Sequence, residues 1–192
     1  MQERAPREDS CIDELYTQRR EGLDSPGAMD PVQLSIVVDS EREHVFDYLQ
    51  DMANHSQFTD HYLVDWRLTR ARSAGVGAGA RFRVKAPGNR FGWAGVSIAE
   101  AQRPRKIVEI GSGGKANRIR TLGVYELAPG SHGTTRITFT FQTEPEKMSD
   151  KLLESLGGRF WLKRQNAKAM RRLRAILEGQ HAGGARVTVA AR

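Results

Sequence analysis

Hydrophobic side chains follow two different periods along this chain, and the change from one to the other organises it. Val32, Leu34, Ile36 and Val38 alternate with Gln33 and Ser35, the period of two expected of a half-buried strand. Ser40-Glu41-Arg42-Glu43 then has the spacing of a capping box. In that motif the Ser40 hydroxyl accepts a hydrogen bond from the Glu43 amide, and the Glu43 carboxylate reaches back to the Ser40 amide. Val45, Phe46 and Leu49 give the helix that follows an apolar side, and residues 54–61 read as a second short helix or turn. Strand patterns return over residues 63–70, 80–85, 90–100, 106–110, 118–127 and 134–143. Between them stand turn signals: Gly75, Gly77 and Gly79; Pro87-Gly88-Asn89; Arg103-Pro104; residues 111–114; residues 129–133. Connections this short suit consecutive antiparallel hairpins. Glu144-Pro145 closes the last strand.

Steps of three and four take over at the end. Leu152, Leu156, Phe160, Ala167, Met170, Leu173 and Leu177 predict one long amphipathic helix over residues 149–177. Gly157-Gly158 falls inside it at a cost of about 2 kcal/mol relative to alanine. That pair predicts a bend or a cavity opening, or else a helix that starts only after Gly158.

The order is strand, two short helices, six strands, long helix, an α+β arrangement. An antiparallel sheet of about seven strands cannot leave its apolar face in water. The final helix is the one element long enough to cover it. The sheet is therefore expected to curve around that helix, with the two short helices plugging one end.

Composition adds boundaries. The 192 residues fit one domain over residues 30–178, with extensions at 1–29 and 179–192 that are polar or Gly/Ala-rich. Cys11 is the only cysteine, which removes intramolecular disulfides and cysteine metal cages. No apolar run approaches the roughly 20 residues needed to span a bilayer. The charged start of the chain does not read as a signal peptide, so a cytoplasmic location is expected. The formal net charge of +7 favours anionic partners. Part of it sits on the last helix, where Arg159, Lys163, Arg164, Lys168, Arg171, Arg172 and Arg174 form a basic face.

At this point the chain resembles the START-like helix-grip (SRPBCC) superfamily, and within it the polyketide cyclase/dehydrase and lipid-transport group. The resemblance spans about residues 31–178. It is carried by Val38-Asp39-Ser40-Glu41-Arg42-Glu43-His44-Val45-Phe46-Asp47-Tyr48-Leu49, by Asp51-Met52-Ala53-Asn54-His55-Ser56-Gln57-Phe58, by Gly77-Ala78-Gly79-Ala80-Arg81-Phe82, and above all by the element order. The resemblance implies a cavity between sheet and long helix that holds an apolar ligand. It does not imply an enzyme, since members include carriers, binding proteins and cyclases.

Strand alternation nominates the lining. Ile137, Phe139 and Phe141 share one face of the last strand, and Phe82 and Val84 share one face of an earlier one, leaving Arg81, Arg83 and Lys85 outside. In residues 90–98 either face could point inward; Trp93, among Gly92, Ala94 and Gly95, is expected to wall the pocket. Phe46, Phe58, Trp66, Tyr125 and Phe160 complete the candidate ligand contacts, with Trp161 beside them.

Chemistry is harder to place. His44, His55, His61, His132 and His181 show no converging set of three or four metal ligands, and surface or capping roles are expected for them. There is no Gly-x-Ser-x-Gly elbow, and Gly111-Ser112-Gly113-Gly114-Lys115 lacks the spacing of a phosphate loop. Cyclase chemistry would need an acid or base in the cavity, for which Tyr125, Glu109, Arg118 and Arg120 are candidates; the two arginines are expected to point outward. No catalytic residue, metal or cofactor is assigned. The reading is binding or transport of a hydrophobic small molecule or lipid. The alternatives are a cyclase/aromatase-like enzyme, and an adaptor on anionic membrane or nucleic acid through the basic helix face. A scarcity of aromatics among those charges argues against nucleic acid.

Overall fold

The computed structural model describes residues 30–88, 90–114, 117–145 and 158–184. β1 (Val32–Val38) leads into α1 (Arg42–Leu49) and α2 (Met52–Thr59). Six strands follow: β2 (Leu63–Leu68), β3 (Gly79–Ala86), β4 (Arg90–Gln102), β5 (Lys106–Gly113), β6 (Ile119–Pro129) and β7 (Thr135–Pro145). The chain then enters α3 (Arg159–Gly184). One seven-stranded antiparallel sheet results, in the order β1-β7-β6-β5-β4-β3-β2. Five hairpins build most of it, and α1 and α2 carry the chain from one edge to the other. The long helix lies against β1 and α2.

Register places one apolar row on the inner face. Leu34, Phe139 and Tyr125 are neighbours across three strands, as are Ile36, Ile137 and Leu127. Val45, Phe46, Leu49, Met52 and Phe58 from the two short helices join Met170, Leu173 and Leu177 of α3 in the same buried cluster. At about 25 cal/mol per Å² of apolar area, this shared burial is what closes the helix onto the sheet.

Three expectations fail locally. The capping box does not form: α1 begins one residue later, with Glu41 as its N-cap and no side-chain cap bond. Ser40 is buried instead, and its carbonyl accepts a hydrogen bond from Thr135 Oγ1 at 2.7 Å. That contact ties β7 to the start of the helix, and the buried Ser40 hydroxyl has no hydrogen-bond partner among the described residues. β5 continues beyond Ile110 through the glycines read as a turn. A Cβ on Gly111 would stand 2.5 Å from the Gly95 carbonyl oxygen and 2.6 Å from Thr121 Oγ1, so strand packing requires the glycine there. α3 runs past Glu178 to Gly184 and begins at Arg159, directly after Gly158. The expected helical stretch over residues 149–157 lies outside the described residues, as do residues 1–29 and 185–192.

The helix buries Met170, Leu173 and Leu177 as expected, but Phe160 falls off that stripe. Asn166, Ala169, Met170, Leu173 and Leu177 are buried, and Phe160 is 72% exposed. At about 100° per residue, Phe160 lies far around the helix from Leu173, while Leu162 falls on the inner stripe. No helix among the described residues is long and apolar enough to cross a membrane.

Candidate ligand cavity and its buried polar end

Beneath the first turns of α3 the sheet leaves a cavity of about 750 Å³. Its sheet side comes from Val32, Val84, Ala86, Gly92, Ala94, Gly113, Ile119, Thr121, Phe141 and Thr143, and its helix side from Gly158, Arg159, Trp161 and Leu162. The volume follows from small residues in register: Gly92 pairs with Val84, and Ala94 pairs with both Phe82 and Gly113. Larger side chains there would fill the space. Among the described lining residues the charged ones are Asp30, Arg90 and Arg159, and Arg159 Nη1 is paired with Asp30 at 3.0 Å.

The predicted contact residues separate into layers. Val84 and Phe141 line the cavity. Phe82, Trp66, Phe139 and Tyr125 form an aromatic layer behind it: Trp66 stacks on Phe82 at 4.9 Å between centroids, and Tyr125 stacks on Phe139 at 4.4 Å. Phe46, Phe58 and Ile137 are plain core. Trp93 does not wall the pocket. It is 41% exposed on the outer face, with the Arg81 guanidinium 4.9 Å above its ring, and Phe91 is held likewise under Arg83 at 4.5 Å. The Arg81 guanidinium thus holds Trp93 on the outer row, whereas Phe91, under Arg83, also lines the cavity. The inward face of β4 is Gly92, Ala94, Val96 and Ile98. Phe160 points away from the cavity, and Trp161 and Leu162 occupy the wall it was expected to form.

Deeper in the core, outside the residues that line the cavity, lies a buried polar group of residues. His55, expected at the surface, is buried in α2 against Phe58, Trp66 and Tyr125. Its Nε2 lies 2.7 Å from the Leu49 carbonyl, and its Nδ1 lies 3.5 Å from Glu109 Oε1. A carbonyl only accepts, so Nε2 carries hydrogen. Nδ1 and Oε1 would then face each other as two acceptors unless one of them holds a proton. The pair is therefore a buried site for one proton. Burial pushes the Glu109 carboxyl above its ordinary value of 4.5, and the His55 charge opposes that shift in part. Burial also raises both the Tyr62 and Tyr125 hydroxyls, with Glu109 adding to each, so both stay neutral.

Two features make room for this acid. A β-bulge between Ile98 and Glu100 bends β4 where Ile98 pairs with Glu109. Gly123, the partner of Glu109 in β6, has no side chain to oppose it; a Cβ there would stand 3.3 Å from both Glu109 Oε2 and the Phe139 ring. The helix contributes Asn166, whose Oδ1 accepts a hydrogen bond from the Tyr62 hydroxyl at 2.8 Å. Sequence reasoning listed Glu109 and Tyr125 but missed His55, Tyr62 and Asn166, which come from separate elements. An asparagine on the buried stripe of an amphipathic helix was the one available signal.

Arg120 is exposed and within 4.0 Å of Glu144, on the outer side of β6. On α3, Arg159, Arg172 and Arg174 pair with Asp30, Asp60 and Glu178. Lys163, Arg164, Lys168 and Arg171 stay exposed. No group of three or more His, Cys, Asp or Glu side chains able to hold a metal occurs among the described residues.

Solved structures share this architecture. A ginseng major latex-like protein from Panax ginseng superposes with a TM-score of 0.57 at 10% identity, over 79% of this chain and 98% of its own. A Thermus thermophilus protein gives 0.60 at 11% identity, over 79% and 99%. A conserved Geobacillus kaustophilus protein gives 0.56 at 17%, over 77% and 95%. The chain therefore has a helix-grip fold. No protein-family model and no curated protein sequence matches it.

Proposed function

We propose that this protein binds a hydrophobic small molecule or lipid in the cavity between the sheet and α3, as the resemblance to the lipid-transport group also implies. The observation that carries the reading is an apolar cavity of about 750 Å³ inside a domain of this size. Unfilled apolar space costs stability in proportion to its volume, so a cavity kept open by Gly92, Ala94 and Gly113 is consistent with retention for a ligand. The neutral dye Nile red tests this on the full chain. Val84→Trp, which fills the cavity, should abolish its fluorescence gain. Val37→Trp, on the exposed side of β1, should leave that gain intact. Equal gains in both variants would mean that the dye sits elsewhere.

The buried Glu109–His55 pair beside Tyr125 favours a second reading, a cyclase/aromatase-like enzyme working on a bound ligand. Such chemistry needs a positioned proton donor or acceptor, and this pair holds one proton near the cavity. Neither member of the pair is among the residues that line the cavity, so binding ranks above catalysis. Turnover that is lost in Glu109→Gln while ligand binding persists would reverse that ranking.

A further inference from the structure

The cations of α3 have few aromatic side chains among them, but the outer face of β3 and β4 carries both kinds together. Trp93 and Phe91 stand two residues apart on β4, which sets them about 7 Å from each other along the strand. Both are exposed. Arg83 is the register partner of Trp93, and Lys85 is that of Phe91. The Arg81 guanidinium covers the Trp93 ring at 4.9 Å, and the Arg83 guanidinium covers the Phe91 ring at 4.5 Å. Gly95, next but one to Trp93, pairs with Ser112, so the neighbours on that side are small.

The adjoining edge strand adds charge where charge is unfavourable. Arg67 of β2 pairs directly with Arg81, and both side chains are exposed. Like charges set opposite each other on one sheet face are destabilising. Arg83 is neutralised by Asp65 at 3.1 Å, whereas Arg67, Arg81 and Lys85 form no ion pair among the described residues. A face that serves only to meet water would gain from an acid opposite Arg81. Unpaired cations around exposed aromatic rings suit instead a polyanion that also has flat, apolar surfaces.

We propose that this outer face binds single-stranded nucleic acid. Its phosphates lie on Arg67, Arg81 and Lys85, and its unpaired bases stack on Trp93, Phe91 and the guanidinium planes beside them. A duplex fits less well, because its bases are already stacked on one another. An anionic bilayer also fits less well. Trp93 lies within the sheet, back from the Pro87-Gly88 turn and directly across from Arg83, so it is not the tip of an apolar protrusion that could enter lipid. The face is on the other side of the sheet from the cavity, which it meets only at Phe91, and the proposal does not depend on what the cavity holds.

The test titrates the full chain into a fluorescein-labelled oligothymidylate of twelve nucleotides, read by anisotropy over a salt series beginning near about 50 mM. The parent should bind saturably and lose affinity as salt rises. Trp93→Ala should weaken binding about tenfold, the loss of one stacked base. Trp93→Phe keeps a ring and should stay within about threefold of the parent. Arg67→Gln and Arg81→Gln should each lower the slope of log affinity against log salt by about 0.7, and they serve if the alanine variant fails to fold. No binding by the parent at the lowest salt overturns the proposal. So does binding that Trp93→Ala, Arg67→Gln and Arg81→Gln all leave unchanged, which would place the oligonucleotide on other cations. Failure to bind the oligonucleotide, with co-sedimentation on phosphatidylserine vesicles that Trp93→Ala abolishes, would overturn it in favour of a membrane surface.

Discussion

A carboxyl group in water ionises near 4.5, but at position 109 it is enclosed between β4, β6 and α2. Because burial raises its value, the folded protein keeps a proton that the unfolded chain releases above 4.5. Stability from this group is therefore complete below 4.5 and is lost as pH rises through the folded-state value. Glu109→Gln removes the titration and nearly preserves the shape. Its melting temperature should gain on the parent as pH rises from 4.5 through the folded-state value, whatever the offset at the acid end. A pH-independent offset would mean that Glu109 ionises as freely in the folded protein as in the unfolded one. Tyr62 gives the complementary prediction. Tyr62→Phe strands Asn166 Oδ1 in the core and should cost about 1–3 kcal/mol in denaturant unfolding, a loss that no exposed tyrosine would show.

At the scale of elements, the two periods and the turn signals between them located the seven strands, α1 and α3 and left α2 as a helix or a turn, because alternation and three-to-four spacing record burial directly. Boundaries and phase were less legible. Glycines 111, 113 and 114 read as a turn, yet β5 runs through Gly113, because glycine marks close backbone approach as readily as reversal. Phe160 looked like part of the apolar stripe of α3, but the buried asparagine at position 166 belongs to that stripe and the aromatic does not. Two substitutions check the phase. Leu173→Ala should cost about 2–5 kcal/mol, as a fully buried leucine does. Phe160→Ala should change stability by no more than about 0.5 kcal/mol, as expected away from the core. Comparable losses at both positions would contradict the observed packing. The outer face of the same helix carries Lys163, Arg164, Lys168 and Arg171. If these serve an anionic surface, reversing Lys163, Arg164 and Lys168 to glutamate should abolish co-sedimentation with phosphatidylserine vesicles at low salt. Unchanged sedimentation would leave the four as a solvated face.

For the molecule as a whole, the plan of a curved sheet gripping a C-terminal helix was readable from element order alone. The site was readable only in part. Val84 and Phe141 could be assigned to the cavity because each strand has one apolar row. Trp93 could not, because its side is decided by Arg81 across the strand pair, and no local pattern reports that contact. His55, Glu109, Tyr62 and Asn166 meet only after the sheet has curved, so their conjunction is a property of the tertiary fold. What the fold produces is a largely apolar cavity beneath the first turns of α3, with a buried polar cluster elsewhere in the core. The decisive measurement is native mass spectrometry of the full chain purified from its source, followed by solvent extraction and identification of anything released. Such a cavity predicts a protein peak heavier than the polypeptide by one small molecule, which solvent removes and which proves to be apolar. A bare polypeptide mass, together with no uptake of any apolar compound from an added panel, would contradict it.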